Sequence, residues 1–496
     1  MNSHRLNAAW LERARQDPSM SSGLALPGYD PAAHGVGIVH LGVGAFHRAH
    51  QAVYVDDTLA RHGGDWRIAG ISLRGSAVAA SLNPQDGLYT LLVRDGSQAQ
   101  GRVIGSIAHV TAAAQQPQLA RGALIRPGVK VVTLTVTEKA YGLGRSSGAV
   151  LPDHPAVAHD LAHPAEPAGV LGMLVWALGE RRRRGLAPFT VLCCDNLPSN
   201  GHLLRAGVLD FAGRVEPGLE AWIGANVAFP STMVDRITPA MTEQTRADAA
   251  SLVGCEDQAA VETEPFSMWV IEDNFPQGRP AWEDAGALMV SDVNPYERMK
   301  LRVLNGAHSL LAYAGHVAGH VYVRDAMRDE ALSRMVSTYM CRAAETLQPV
   351  AGVDFADYAA ALRQRFANPA IAHETYQIAM DGTEKLPQRI LDPARDCLIG
   401  GQDLRPFAFA VAAWMRYCLG VTEQGRRYLL RDPRENEIRV VLQGSSDDAR
   451  GIAAALMALP GVFPSELRDA SVWRSLVVDS LRVMLSGGMA AALSMS

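Results

Sequence analysis

The chain has 496 residues, of which 48% are hydrophobic and 20% charged, and its formal net charge is -5. This length allows two to four domains at the usual ~100–200 residues each, and the apolar fraction is sufficient for globular cores. The charges form no long run of one sign, which argues against a nucleic-acid or membrane partner. The one arginine cluster, Arg181–Arg184, is interpreted as the solvated end of a helix, where cations complement the helix dipole.

The six cysteines show no CxxC spacing, and Cys193 and Cys194 are adjacent in a β-like run. This pattern indicates neither a disulfide framework nor a metal site, and it favours reduced thiols in a cytoplasmic protein. The N-terminal stretch carries charges where a signal peptide needs apolar residues. No uninterrupted apolar run approaches the ~18–20 residues of a membrane helix, so a soluble protein is expected.

The first half of the chain alternates short β-branched runs with helical stretches. Strands without polar alternation, separated by helices, predict a parallel sheet covered on both faces. A helix is predicted over AHQAVYVDDTLARHG, ending at Gly63-Gly64. The predicted strands are GVGIVHL before a glycine turn, WRIAGISL, VKVVTLTVTE and PFTVLCCDNL.

The second half changes to long segments with apolar residues at three- and four-residue spacing, which is typical of amphipathic helices. A domain boundary is expected near GALMVSDVNP. The predicted helices include DEALSRMVSTYMCRAAETLQP, DFADYAAALRQRFANP and LRPFAFAVAAWMRYCLG.

A glycine turn, IVHLGVGAFHRAH, follows the first apolar strand and precedes a helix. A dinucleotide fold needs one glycine for the tight turn and another that lets the backbone approach a pyrophosphate. His47 stands where the fingerprint has its third glycine, so an ordinary strand–turn–helix is the alternative. The position in the first βαβ unit favours cofactor binding. The predicted contacts are Gly42, Val43, Gly44, Ala45, Phe46, His47 and Arg48.

The predicted fold class is α/β, with a Rossmann-like dinucleotide-binding domain over residues 1–288 and a mostly α-helical domain over residues 289–496. The second strand ends in Ser72, Leu73 and Arg74 rather than in the acid that reads an adenosine ribose. Arg74, also predicted to contact the cofactor, could tolerate a 2′-phosphate, so the local chemistry leaves NAD and NADP both open.

An apolar helix, VNPYERMKLRVLNGAH, starts at Asn294 as N-cap and carries Lys300, Asn305 and His308. At ~100° per residue the last three share one broad face. Taken singly, each has a structural alternative: a lysine reaching the rim, a capped asparagine or a core histidine with satisfied nitrogens. Together they suit alcohol oxidation, which needs a base on the hydroxyl proton and donors to the alkoxide-like oxygen.

A lysine in an apolar wall loses solvation of its charged form, so its pKa is expected to fall toward neutrality. Asparagine donates a hydrogen bond without changing charge, and histidine can bond a neighbouring hydroxyl. Asn196 follows the strand PFTVLCCDNL, at the sheet edge where open α/β folds bind ligands. A turn-forming asparagine is an equally good local alternative.

Seven motifs in order, from about Val36 to beyond Gly420, resemble the polyol-specific long-chain dehydrogenase (mannitol dehydrogenase) family. They are HLGVGAFHRAHQA, TLTVTEKAYG, CDNLPSNG, FPSTMVDRITP, EPFSMWVIEDNFPQGRPAWE, KLRVLNGAHS and QIAMDGTEKLPQR. The resemblance implies metal-free, NAD-linked oxidation of a sugar acid or polyol. It also implies that Lys300 is the general base and that Asn196 and Asn305 hold the reacting oxygen. His308 and Lys385 are implied to bind the substrate. Glu138 matches an acid that connects the lysine with solvent, and Asp235 matches a residue beside the nicotinamide.

Within the family the sequence is similar to the fructuronate reductase branch. Gln377 stands eight residues before Lys385, where mannitol 2-dehydrogenases carry arginine, although Glu374 departs from this branch. The branch is associated with NAD, and a hexuronate carboxylate needs a cation such as Lys385 or Arg389. The resemblance thus implies interconversion of D-fructuronate and D-mannonate. The alternatives are oxidation of mannitol or arabinitol and a catalytically inactive sensing protein.

Overall fold

The computed structural model describes residues 5–96, 98–144 and 147–495, and of Gln98 only the backbone. The chain divides into two compact units, Met1–Asn294 and Pro295–Ser496, named here the N-terminal and the C-terminal unit. The described strands have the following bounds: β1 Leu24–Ala25, β2 Val36–Leu41, β3 Arg67–Ser72, β4 Tyr89–Asp95, β5 Gln98–Ile104, β6 Ile107–Ala112, β7 Val131–Leu134, β8 Thr190–Cys193, β9 Thr232–Asp235, β10 Val261–Thr263, β11 Met268–Glu272 and β12 Leu288–Val290.

A five-stranded parallel sheet organises the N-terminal unit. Its order is β6-β3-β2-β7-β8, and Leu41 at the end of β2 pairs with Ile71 on one side and with Leu134 on the other. Numbered along the chain, these strands have the order 3-2-1-4-5, which is that of a doubly wound dinucleotide-binding fold. The order reverses between β2 and β7, and ligands bind at the carboxyl ends beside such a reversal. The predicted α/β fold class is confirmed.

The sheet is covered on both faces because its side chains alternate between two apolar clusters. In β2, Val39 and Leu41 belong to one cluster and Ile38 to the other. In β8, Val191 and Leu192 are divided in the same way. Burial of both faces explains why the strands lack polar alternation. Smaller sheets of order β1-β5-β4-β10 and β12-β11-β9 complete the unit.

The helices of the N-terminal unit begin and end as follows: α1 Ala8–Gln16, α2 Ala45–Ala49, α3 Gln51–His62, α4 Ala77–Leu82, α5 Pro117–Leu124, α6 Pro155–Ala162, α7 Val170–Arg183, α8 Asn200–Val215, α9 Pro217–Asn226 and α10 Glu243–Val253. Short 3-10 turns cover Pro18–Ser21, Pro31–Ala33, Asn83–Gln85, Glu138–Ala140 and Trp282–Ala285. The helix predicted after the glycine turn is broken at His50 into α2 and α3, and α3 ends before Gly63, whose φ is 62°.

Helices make up the C-terminal unit, as predicted. In the described residues they are α11 Asn294–Met299, a π-helix Lys300–Asn305, α12 Gly306–Ala318, α13 Val323–Ala326, α14 Glu330–Glu345, α15 Phe355–Ala367, α16 Thr375–Ala379, α17 Gly382–Leu386, a π-helix Pro387–Leu391, α18 Asp392–Gly400, α19 Arg405–Tyr417, α20 Glu435–Gln443, α21 Ala449–Met457, α22 Ser465–Asp469 and α23 Ser471–Ser494.

The arginine cluster at the end of α7 is not solvated throughout, because its first member, Arg181, is buried. This corrects the interpretation of the whole cluster as a solvated helix end. Arginines 182 to 184 are exposed at the end of α7, but the Arg181 residue is only 2% exposed. A buried guanidinium is tolerated when its donors are satisfied. Its acceptors are the carbonyl oxygens of Ala187 at 2.7 Å, Leu124 at 3.1 Å, Arg126 at 2.9 Å and Val129 at 3.1 Å.

The last helix, α23, is long and apolar enough to cross a membrane by length and composition, which the sequence interpretation did not expect. Its buried residues Trp473, Val477, Leu481 and Met484 recur every three or four positions. That spacing is typical of a helix with one face packed on a protein core. The helix also has a kink at Gly488, whose φ is 80°.

Two π-helical segments interrupt the C-terminal unit at the residues that the sequence singled out. In the first, the Gly306 N–H donates to the carbonyl of Leu301, five residues earlier. The second starts at Pro387, which lacks the N–H that an α-helix would use. The ~100° step of an α-helix therefore does not hold between Lys300 and Asn305, which corrects the predicted helical face.

Gly306 lies where these two segments meet. A Cβ on Gly306 would be 2.1 Å from the Tyr339 hydroxyl oxygen and 2.7 Å from the carbonyl oxygen of Arg389. The Tyr339 hydroxyl donates to that same carbonyl at 2.8 Å. A methyl group at residue 306 would have to separate the segments or break this bond.

We expect Gly306→Ala to destabilise the C-terminal unit by about 1–3 kcal/mol through overpacking. Urea unfolding of the full chain measures this loss. Gly400→Ala is the matched control, because its Cβ would meet nothing nearer than 3.6 Å and alanine favours the helix by up to about 1 kcal/mol. Equal unfolding midpoints for Gly306→Ala and the wild type would contradict the close approach.

Candidate functional site

The glycine turn directly follows β2. Gly42 has a φ of 95°, in the left-handed region that favours glycine, and a Cβ there would lie 2.3 Å from the carbonyl oxygen of Thr135. Gly44 is the N-cap residue of α2. A Cβ on Gly44 would meet only the Gly42 carbonyl oxygen, at 3.8 Å. The turn thus combines one position that excludes a side chain with one whose surroundings are open.

His47, at the position of the absent third glycine, stacks on His40 of β2. The ring centroids are 3.5 Å apart with 14° between the planes, and both residues are fully buried. Burial lowers the pKa of His40 to about 3 and the pKa of His47 well below its ordinary value. Because the two imidazole rings are flat and uncharged, they stack closely. The stack allows the close approach of α2 to β2 that the third glycine of the fingerprint usually provides.

His40 also joins the ends of β2 and β7. Its Nδ1 lies 2.7 Å from the Thr133 hydroxyl oxygen and its Nε2 lies 2.9 Å from the Thr135 hydroxyl oxygen. The Thr135 hydroxyl donates to the Gly42 carbonyl at 2.9 Å. Both nitrogens of His40 are therefore satisfied, whereas neither nitrogen of His47 has a hydrogen-bond partner among the described residues.

The two predicted cofactor arginines lie in different surroundings. Arg48 is 6% exposed; its Nε donates to the Gly44 carbonyl at 3.2 Å and its Nη1 to the Ala259 carbonyl. These bonds brace the glycine turn from the protein interior. Arg74 is exposed just after β3, where its guanidinium can reach a ligand from solvent.

The apolar residues of the turn pack into the core. Val43 is 4% exposed, and its Cγ2 would be only 2.5 Å from a Cβ on Gly70 of β3. Ala45 and Phe46 are partly buried against the same cluster, and Phe46 stacks on the ring of His50 with centroids 5.1 Å apart. Their side chains hold the turn, which leaves its backbone as the surface for a ligand.

Asp195 ties together the segments that follow β7 and β8. Its carboxylate accepts hydrogen bonds from the N–H groups of Val136 at 3.0 Å and Thr137 at 3.1 Å, and from the Tyr141 hydroxyl at 2.7 Å. Burial raises the pKa of Asp195, although these donors lower it. Thr137 has a φ of 77°, so the carboxylate holds a strained backbone immediately before Glu138.

Asn196, next to Asp195, is exposed, and Glu138 is half-buried. Both follow carboxyl ends of neighbouring strands in the parallel sheet. The buried Asn200 links this edge to β9: its amide donates to the Thr232 carbonyl at 2.9 Å and accepts from the Thr232 N–H at 2.9 Å. Asp235, 6% exposed, ends β9.

In the C-terminal unit, Lys300 and Asn305 are the first and last residues of a π-helix, and His308 lies on α12. Lys300 is 8% exposed, and Asn305 is half-buried. Insertions of π-helix into α-helices often occur at functional sites.

His308 lies among cations. Its ring stacks on Phe366 with centroids 4.3 Å apart, and the ring of His373 meets it edge-on at 5.2 Å. Burial first, and then His373, Arg365, Arg389 and Lys385, lower the pKa of His308 well below its ordinary value. The imidazole is therefore neutral, and its Nε2 has no hydrogen-bond partner in the described part of the chain.

Lys385 and Arg389 are both half-buried near this ring. The Lys385 ammonium donates to the Met380 carbonyl at 2.5 Å and lies 3.9 Å from the Asp381 carboxylate. Arg389 donates to the Ser309 hydroxyl at 3.3 Å. Burial, followed by the charge of Lys385, lowers the pKa of His373 to about 4.

Within each unit, the predicted residues converge to different degrees. The turn residues 42–48, Arg74, Glu138 and Asn196 all follow the carboxyl ends of strands in one sheet. In the C-terminal unit, the charges of Lys385 and Arg389 help to lower the pKa of His308.

The sequence interpretation missed the roles of Asp195, His373 and Arg365. Asp195 could have been noticed beside Asn196, whereas nothing local to Arg365 marks it. In the described residues, no His, Cys, Asp or Glu group is arranged to hold a metal ion.

Two family models match the chain in succession. The model of the mannitol dehydrogenase Rossmann domain matches residues 36–284, and that of the mannitol dehydrogenase C-terminal domain matches residues 292–484.

Individual relatives align over nearly the whole chain. The uncharacterized oxidoreductase YdfI of Escherichia coli (strain K12) is 43% identical over 96% of this chain and 98% of its own. The D-mannonate oxidoreductase of the same organism is 41% identical over 90% and 92%. A solved ternary complex of Pseudomonas fluorescens mannitol 2-dehydrogenase with NAD and D-mannitol has a TM-score of 0.87 at 35% identity, covering 99% of both chains.

The buried histidines of the turn predict a loss of stability in acid. Because the folded pKa of His40 is about 3, whereas an unfolded histidine titrates near pH 6.5, only the unfolded chain takes up this proton as the pH falls below about 6.5. Each such histidine costs about 1.4 kcal/mol per pH unit. The loss is absent above pH ~7 and grows toward pH ~4.

We expect His40→Asn to have a shallower dependence of the unfolding free energy on pH between about pH 6 and pH 4.5, by up to ~1.4 kcal/mol per unit. Urea unfolding at several pH values measures it. His202→Gln replaces an exposed histidine and should keep the wild-type slope. Identical slopes for His40→Asn and the wild type would show that His40 is not held neutral.

Proposed function

The chain belongs to the mannitol dehydrogenase family of oxidoreductases, and we propose that it interconverts D-fructuronate and D-mannonate. It is an NAD-linked enzyme that acts on a secondary alcohol. The relationship to D-mannonate oxidoreductase, at 41% identity, supports the sugar-acid substrate. The second candidate is a polyol, as in the mannitol 2-dehydrogenase whose complex holds D-mannitol.

The glycine turn fits the dinucleotide. The open side of Gly44 and the backbone N–H groups at the start of α2 suit a pyrophosphate. We assign the contacts to the backbone of residues 42–46, with His47 and Arg48 holding the turn from behind. Arg74 and Asp235 complete the proposed cofactor set. NAD, when bound, supplies the hydride acceptor for the oxidation.

Lys300 is the proposed general acid and base. Its burial disfavours the ammonium form, which makes a neutral amine accessible. In oxidation the neutral amine accepts the proton of the substrate hydroxyl, and in reduction the ammonium gives this proton to the carbonyl oxygen. The proposed donors to that oxygen are the amides of Asn196 and Asn305. Glu138 is assigned the transfer of the proton onward to water.

The cations around His308 carry the preference for a sugar acid. Arg365, Arg389 and Lys385 all help to lower the pKa of this histidine, and the Asp381 carboxylate lies 3.9 Å from the Lys385 ammonium. A substrate carboxylate would complement these three cations and bond Lys385 or Arg389. The unpartnered Nε2 of His308 then bonds a substrate hydroxyl. A neutral polyol would leave the cations without this complement.

We expect Lys300→Ala to lower kcat for oxidation about 10²–10⁴-fold, the usual contribution of a general base. Steady-state NADH formation measures the loss. Lys130→Ala, which replaces an exposed lysine beside Trp66, is the control and should be as active as the wild type. The oxidation rate of the wild type should rise with pH as Lys300 loses its proton, and this rise should be absent in Lys300→Ala. An undiminished rate at neutral pH would remove Lys300 from the mechanism.

We expect kcat/KM for D-mannonate with NAD to exceed that for D-mannitol. Arg389→Met should reduce the value for D-mannonate by about tenfold or more, because a hydrogen bond to a charged group is lost, and should change the value for D-mannitol far less. Parallel initial-rate measurements on the two substrates give both comparisons. A preference for D-mannitol would favour the polyol candidate, and equal losses on both substrates would reject Arg389 as a carboxylate ligand.

A further inference from the structure

The C-terminal unit contains a cavity whose lining includes none of the residues assigned to the proposed substrate site. Its volume is about 410 Å³, within the usual range for small-molecule sites. Its walls come from the end of α12, the start of α16 and the loop after α19, and they include His316, Glu374, Tyr376, Arg426, Arg427 and Tyr428. His316 follows His308 on α12 by eight residues, or about 12 Å along the axis.

His316 presents an unsatisfied polar atom in this wall. The residue is 6% exposed, and its Nε2 has no hydrogen-bond partner in the described ranges. The ring stacks on Tyr376 with centroids 5.1 Å apart and meets Tyr428 edge-on at 4.6 Å. Burial and the charge of Arg426 lower the pKa of His316 to about 4. A buried, neutral imidazole nitrogen without a partner is costly unless a ligand or water bonds it.

Two arginines line the cavity without a protein acceptor. Among the residues that the structure describes, Arg426 and Arg427 are exposed, and neither guanidinium has a hydrogen bond or ion pair. Glu374 is the single carboxylate in the lining. Two cations therefore face one acid, and the cavity carries a net positive charge that suits an oxyanion.

The backbone of the two arginines is held by a short turn. The Thr422 N–H donates to the Arg426 carbonyl at 3.0 Å, and the Thr422 hydroxyl accepts from the Arg426 N–H at 3.2 Å. Arg427 forms a backbone bridge with Val421. The tyrosines are fixed as well, since the Tyr376 hydroxyl donates to the Leu429 carbonyl at 2.7 Å and the Tyr428 hydroxyl to the Tyr417 carbonyl at 2.8 Å. The backbone and the aromatic wall are thus preformed, and binding has to order only the two arginine side chains.

We propose that this cavity binds a small organic anion, whose carboxylate or phosphate lies between Arg426 and Arg427 and whose body hydrogen-bonds His316. The ring of Tyr376 is already in contact with Arg431, whose guanidinium lies 4.6 Å from the ring centroid, and with His316, which stacks on it. The ring of Tyr428 packs against Tyr417 with centroids 5.0 Å apart. A sugar-sized anion held by the arginines therefore fits the site better than a flat aromatic ligand, which needs an open ring face.

Isothermal titration calorimetry of the full chain saturated with NAD tests the proposal. The probes are D-gluconate, which offers a carboxylate, D-glucose 6-phosphate, which offers a phosphate, and neutral D-glucose. Each anion is also titrated into Arg389→Met, because a sugar acid can enter the proposed substrate site, and binding in the cavity beside His316 should persist in that variant. We expect saturable binding of at least one anion and none of D-glucose, and the tighter anion identifies the source of the charge. Equal binding of D-glucose, or no saturable heat up to about 10 mM of either anion, would overturn the proposal.

The double variant R426Q/R427Q should bind the tighter anion about tenfold or more weakly, because two charge-assisted bonds are lost. Its NAD-linked turnover should remain that of the wild type. The control, R439Q/R450Q, removes the same charge from two other exposed arginines of the C-terminal unit and should bind as the wild type does. His316→Gln should weaken binding by a smaller factor. Unchanged affinity in R426Q/R427Q would place the bound anion elsewhere and reject the site.

Discussion

The close approach of backbone at Gly42 is the constraint on which the N-terminal unit depends. A side chain there would collide with the carbonyl of Thr135, so the ends of β2 and β7 could not lie side by side. The hydroxyl of Thr135 and the ring of His40 then bond across the same gap. Backbone contact and neutral polar groups thus hold β2 beside β7 at the point where the strand order reverses.

The same constraint recurs in the C-terminal unit at Gly306. Here the neighbour is the Arg389 carbonyl, which also accepts from Tyr339. The two π-helical segments that meet at this point carry Lys300, Asn305 and Arg389. The proposed base and one proposed carboxylate ligand therefore depend on a contact that tolerates no Cβ.

Burial fixes the protonation of the polar groups in both units. His40, His47 and His308 stay neutral because the charged ring would lose its hydration. Neutral rings can stack on one another or on Phe366 at van der Waals distance. Around His308 the charges of Arg365, Arg389 and Lys385 add to this effect of burial. The neutral imidazole can therefore form hydrogen bonds without adding charge of its own.

The sequence by itself determined the parallel sheet and the helical second half, because uninterrupted apolar strands and three- to four-residue periodicity depend only on local burial. It also picked out the glycine turn, which directly follows β2, and the Lys300–His308 segment, for which a catalytic role is proposed. It could not show that Arg181 is buried, since three of the four carbonyls that bind it come from a segment more than fifty residues earlier in the chain.

Only the tertiary structure showed the π-helical geometry of Lys300–Asn305, which ends beside Gly306, where the chain packs against a segment some eighty residues later. The same holds for the role of His47, which replaces a glycine by stacking on a ring from a neighbouring strand. The cavity beside His316 likewise gathers residues from three separate segments. Such features arise from long-range contacts, which leave no periodic trace in the local sequence.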